Sequence, residues 1–213
     1  MRFCLAVFLA LLQAPASPPN LSTLVEGVER SFAQMKDFSA DFIQIEDSLN
    51  QKHQESGHLY LMRSRMMRWE YKKPEEKLFI SNGKTVYFYV PADRQVSKDA
   101  VRETVDDRIP LMFLLGRSDL RKEFTKFELL STKPFLEGTK VVRMYPRRKS
   151  DLSEVVMEVD PANFLIRRLL LAHADGSRME FIFSNIRINT GLRASMFEFK
   201  IPPGVEVTEG IAQ

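Results

Sequence analysis

The chain has 213 residues, of which 31 are basic and 28 acidic, for a formal net charge of +3. That length suits one domain, and the charges are interspersed rather than massed, which argues against a nucleic-acid-binding stripe. A single cysteine excludes a disulfide framework and a thiolate metal centre.

The first element reads as a leader. Arg2 supplies a positive start, Leu5 to Leu12 is an unbroken apolar run, and Ala14-Pro15-Ala16 offers the small residues a signal peptidase reads. No stretch approaches the roughly 20 apolar residues that a membrane helix needs. We therefore expect a signal peptide over 1–16, cleavage near Ala16, and an exported domain over 17–213. Cys4 lies within the leader, ahead of nearly all the apolar run, where it is not placed for lipid attachment.

Asn20 to Lys36 carries the clearest helical period. Leu21, Leu24, Val25, Val28, Phe32 and Met35 fall on one stripe, and Asn20 or Ser22 can cap it. Phe38, Ala40 and Phe42 then alternate with Ser39, Asp41 and Ile43, as in a strand. Successive strands follow from Gly57 to Pro91. Arg68 and Glu70 point one way along them, and Met67, Trp69 and Tyr71 the other, giving one charged and one apolar face. Asn82-Gly83 has the chemistry of a tight type I′ turn, which sets Ile80 opposite Val86.

A polar segment rich in Asp and Arg runs from Asp93 to Arg108, and Ile109-Pro110-Leu111-Met112-Phe113-Leu114-Leu115 breaks it. This stretch is apolar nearly all round, opened by a proline suited to a first helical turn and ended by Gly116. Strands are then expected at Lys126–Ser131, Lys140–Tyr145, Glu154–Asp160, Leu165–Ala172, Arg178–Ile188 and Phe197–Ile201.

These elements predict a mainly β (α+β) fold. A single curved antiparallel sheet forms a half-open β-barrel, with the N-terminal helix and the Pro110 helix as a lid on its concave side. Sixteen Phe and ten Met favour a surface that can repack around varied apolar ligands. Met67, Trp69 and Tyr71 suit packed core and cavity lining equally well. His53, His58 and His173 have no metal-ligand spacing, and no HExxH, GxSxG or phosphate-cradling loop occurs. No catalytic, cofactor or metal site is expected.

The Phe38-Ser39-Ala40-Asp41-Phe42-Ile43-Gln44 strand, Gly57 to Arg63, Arg68-Trp69-Glu70-Tyr71 with Pro74, and Ser81 to Lys84 form an ordered series. Tyr87-Phe88-Tyr89, the Pro110 helix, Phe197-Glu198-Phe199 and Pro203 to Val207 complete it. Through these residues the chain resembles the periplasmic outer-membrane lipoprotein carrier proteins, the LolA-type chaperones. The resemblance implies a lidded half-barrel whose apolar cavity receives acyl chains. Its partners would be acylated lipoproteins, an inner-membrane lipoprotein-releasing transporter and an outer-membrane acceptor, with the carrier a monomer that binds no nucleic acid. By position, the cavity would draw on Phe42, Met67, Trp69, Tyr71, Leu111, Leu114 and Leu115. Arg63 matches the arginine that latches the lid by hydrogen bonding, although the proline that often follows it in the family is Ser64 here. From the residues alone Arg63 reads as a solvated strand charge. A carrier of free lipid or glycolipid, and a lipid-sensing regulatory domain, are alternative functions for the same fold.

Overall fold

The computed structural model describes residues 19–48, 51–63, 65–101, 119–148 and 151–210. The leader, Ser64 and the Pro110 helix lie outside the described residues. Helix α1 (Leu21–Gln34) opens on Asn20, whose side chain accepts the Thr23 N–H at 2.9 Å, and it buries Leu24, Val25, Val28 and Phe32. After it come β1 (Asp37–Ser48), β2 (Gln51–Met62), β3 (Met66–Lys73), β4 (Lys77–Asn82), β5 (Thr85–Val90) and β6 (Gln95–Ala100). A short helix α2 (Leu120–Glu123) leads into β7 (Phe124–Leu130), β8 (Lys140–Pro146), β9 (Leu152–Val159), β10 (Ile166–His173) and β11 (Arg178–Ile188). A 3-10 turn (Ala194–Phe197) precedes β12 (Glu206–Glu209).

All of these strands join one open sheet in the order β12-β6-β5-β4-β3-β2-β1-β11-β10-β9-β8-β7. This is the single, largely antiparallel sheet with few helices that the sequence predicts. Only β12 departs, pairing parallel with β6. One hydrophobic core lies on the inner face, where α1 meets Phe38 and Phe42 of β1, Leu59 and Leu61 of β2, Val142, Met157 and Leu169 of the far wing, and Phe181 and Phe183 of β11. The helix leans toward that far wing. It touches β7, its Glu29 accepts the Leu120 N–H at 2.8 Å, and Gly27 lets the Phe164 ring lie against the backbone.

Three expectations need correction. Ile80 pairs with Tyr87, and Ser81 with Val86. The β4–β5 connection is wider than a two-residue turn because Asn82 Oδ1 accepts both the Lys84 and Thr85 N–H groups, holding the chain open around Gly83. Phe197–Ile201 is not a strand. Its segment crosses the outer face of β3 and β4, where Arg68 Nη1 donates to Met196 O at 3.2 Å and Phe199 packs on Tyr87 and Tyr89. The outer face there is consequently not simply charged. Ile80, Val96 and Phe197 are all 0% exposed, forming an apolar layer separate from the inner core.

Candidate functional site

Strand alternation assigns the inner face. Trp69 pairs with Phe79 and Phe79 with Phe88, and directly opposed residues in neighbouring antiparallel strands share a face. Met67, Trp69 and Phe42 are fully buried together on that face, with Tyr71 partly buried beside them. The rings interlock. Phe42 meets Trp69 edge to face at 4.9 Å and Tyr71 at 5.1 Å, Trp69 and Tyr71 stack at 6.4 Å, and Trp69 lies 5.5 Å from Phe181. Such contacts add to simple area burial and fix ring orientation. The Tyr71 hydroxyl donates to Gln44 Oε1 at 2.9 Å. The structure thus brings together four of the seven proposed cavity residues. Leu111, Leu114 and Leu115 lie outside the described residues.

The aromatic cluster continues onto residues that the sequence alone did not assign to the cavity. Phe79, Val86, Phe88 and Val90 extend the inner face across β4 and β5, and all are half-buried. Their signal was present but ambiguous. Tyr87-Phe88-Tyr89 is aromatic on both faces, and only the pairing register assigns Phe88 inward and the tyrosines outward.

Arg63 lies one residue beyond β2, and its described partners are all at the end of α1. Its Nε donates to Met35 O at 2.8 Å, its Nη2 donates to Ala33 O, and its backbone N–H donates to Lys36 O at 3.2 Å. These carbonyls include orphan acceptors at the negative end of the helix dipole, so a guanidinium there is doubly favoured. Asp37 braces the same corner by accepting the Thr190 N–H and hydroxyl and the Gly191 and Leu192 N–H groups. Burial pushes its carboxyl up, but those hydrogen bonds outweigh the effect and hold it below the ordinary range.

Among the described residues no three His, Cys, Asp or Glu side chains are grouped to hold a metal ion. His58 Nδ1 lies 2.6 Å from Asp41, on the exposed side of β1 and β2. Nor is any described helix long and apolar enough to cross a membrane.

Comparison with known proteins agrees with this architecture. The family model for the outer membrane lipoprotein carrier protein LolA matches residues 33–200. The outer-membrane lipoprotein carrier protein of Azotobacter vinelandii is 30% identical over 207 residues, spanning 96% of this chain and 95% of its own. That of Chromobacterium violaceum is 27% identical over 205 residues, spanning 96% and 95%. An uncharacterized conserved protein from Thermus thermophilus shares the fold, with a TM-score of 0.57 at 13% identity over 89% of this chain and 98% of that one.

Proposed function

The chain belongs to the outer membrane lipoprotein carrier protein family, and from that premise we propose that it is a periplasmic chaperone for acylated lipoproteins. It receives them from an inner-membrane lipoprotein-releasing transporter and hands them to an outer-membrane acceptor. The acyl chains lie along the inner face of β3 to β5, shielded from water. The observation supporting this reading is the continuous apolar band from Phe42 and Trp69 through Phe79 to Phe88, on the wing that α1 leans away from. Burying one long acyl chain is worth on the order of 10 kcal/mol at roughly 0.8 kcal/mol per CH₂. No covalent chemistry is needed to hold such cargo, and the family is one of carriers rather than catalysts. The difficult step is release.

Arg63 addresses release by holding the corner between β2 and α1 closed when the band is empty. A charge-assisted hydrogen bond contributes about 1.5–3 kcal/mol. A closed state stabilised by that amount competes with bound cargo and lowers its net affinity. The test is native mass spectrometry of protein recovered from the periplasm, with displacement of a fluorescent acyl probe in parallel. Co-purifying lipoprotein and a displaceable probe are expected. Free phospholipid as the sole companion would replace this reading with that of a lipid carrier, and failure to bind any acyl probe would end it.

A further inference from the structure

Among the described residues, one polar atom of the inner-face aromatic cluster has no hydrogen-bond partner. Trp69 is 2% exposed and its Nε1 is unpaired. The other orphan, Arg143 Nε, lies 3.2 Å from the Glu154 carboxylate and so has a charged neighbour. The buried polar side chains Asp37, Glu55, Ser81, Thr139 and Glu158 all have partners. Burial without a partner is costly for an indole, which can only donate. Rotation offers no relief, because Phe42, Tyr71 and Phe181 hold the ring in place, while the Tyr71 hydroxyl is engaged by Gln44. The donor therefore sits fixed among rings, and the nearest polar side chains, Tyr71 and Gln44, are already bonded to each other.

An acyl chain offers such a donor one kind of acceptor, the ester or amide carbonyl at its head. We propose that the Trp69 indole N–H donates to that carbonyl when cargo enters, so that the carrier distinguishes acyl chains from alkyl chains of equal length. The bond also sets the depth of insertion, since the carbonyl occurs once per chain and the methylenes beyond it carry no acceptor. This inference rests on the carrier reading above. It makes Trp69 a specificity-determining residue, where the ring alone would be only apolar lining.

Trp69 is the single tryptophan of the chain, so the protein has one indole ¹H–¹⁵N resonance, and it reports this atom directly. Four probes of matched chain length are titrated: a diacylglyceryl lipopeptide, a diacyl phosphatidylglycerol, and the dialkyl ether counterpart of each. With the esters, the indole proton should move downfield, and affinity should exceed that for the ethers about fivefold to tenfold. In Trp69→Phe the ester and ether affinities should converge. A response to the lipopeptide ester alone assigns recognition to lipoprotein cargo, and a response to both esters assigns it to acyl carbonyls generally. Equal binding of esters and ethers with an unmoved indole resonance overturns the inference and leaves the carrier reading intact. An indole proton shifted upfield in both free and loaded protein, as when it lies over the Phe42 ring, overturns it likewise. Binding of none of the four probes removes the carrier reading and this inference together. The resonance is read on wild-type protein, so the outcome does not depend on the variant folding.

Discussion

Glu158 shows how one carboxylate can hold a loop. It is 1% exposed and accepts the Phe135 N–H at 2.9 Å, the Leu136 N–H at 2.8 Å, the Thr139 hydroxyl at 2.9 Å and Arg168 Nη1 at 2.8 Å. Arg168 is shared with Glu180 and also lies under the exposed Phe135 ring, 4.9 Å from its centroid. Burial pushes the Glu158 carboxyl up, but the bonds from Leu136, Phe135, Thr139 and Arg168 prevail and hold it below its ordinary value of 4.5. The folded value thus lies below the unfolded one. The stabilisation is complete above about pH 4.5 and is lost as pH falls from there through the folded value. Urea unfolding across acid pH should show stability falling in that window. In Glu158→Gln the fall should be shallower, with Asp37, Asp41 and the other carboxylates held below their ordinary values contributing what remains, and stability at neutral pH should be lower by about 3–5 kcal/mol because Arg168 loses a buried partner. An unchanged acid slope in the variant would assign the pH dependence to other carboxylates. The role proposed for Arg63 is of a different kind, in a step rather than in the fold. Arg63→Leu should load lipoprotein as wild type does and transfer it more slowly to acceptor membranes, because the closed state no longer competes with cargo. Lysine should not restore the rate, since it lacks two donors in a fixed fork. Equal transfer rates at equal loading would reduce Arg63 to a structural tie.

At the scale of elements, the β2–β3 pair depends on Gly57. A Cβ there would fall 1.8 Å from the carbonyl oxygen of Glu70 and 2.9 Å from Tyr71 Cα, both backbone atoms of β3. The pairing register shifts between Ser56 and Gly57, where the two strands approach this closely. Gly57→Ala should cost about 3 kcal/mol and expose the amides of Trp69 to Tyr71, read as a lower urea midpoint and lost hydrogen-exchange protection. Full protection in the variant would show that the strands can part without consequence. Much of this architecture is legible in the sequence. The 3.6-residue stripe of α1 and the alternation of β1, β3 and β11 each follow from local pattern. Gln95–Ala100 is different. It is too polar to announce a strand, and it forms β6 because β5 and β12 supply its hydrogen bonds. Phe197 and Phe199 have the alternation of a strand, yet they cover one instead, since the outer faces of β3 to β5 offer Ile80, Tyr87 and Tyr89. Local periodicity reveals that a segment has an apolar side, whereas long-range pairing decides what that side meets. The same limit applies to the candidate site. Trp69 stands out as a lone tryptophan in an alternating strand, whereas Phe88 gains its inward position only from register with Phe79.

Across the whole molecule, the sheet's inner face is buried unequally on its two wings. On the wing from β7 to β11, α1 and the sheet meet in a closed core, with Val142, Met157 and Val159 0% exposed and Leu169 2% exposed. On the wing from β3 to β5, the band grades from buried Trp69 to half-buried Phe79 and Phe88, while the outer side of the same strands is sealed by the C-terminal segment. Sealing the outer face matters to the proposed carrier role because it would let these strands keep their shape even with the inner face unfilled. A carrier needs that arrangement, since a pocket that must be full to fold cannot be emptied. The two wings should therefore answer the same insult differently. Leu169→Glu buries an unpaired charge under α1 and should leave the protein largely unfolded or insoluble. Phe88→Glu places the charge at a half-buried position that can remain hydrated, so circular dichroism should be unchanged and the thermal midpoint should move by only a few degrees. Its acyl-probe affinity should nevertheless fall by about tenfold or more, as an apolar contact for the chain is replaced by a carboxylate. If Phe88→Glu unfolds the protein as Leu169→Glu does, the β3–β5 wing is a filled core and the proposed division of labour does not exist. If it folds and binds acyl probe normally, the cargo lies elsewhere. Reduced binding on an intact fold is the result that places the acyl chains on this wing.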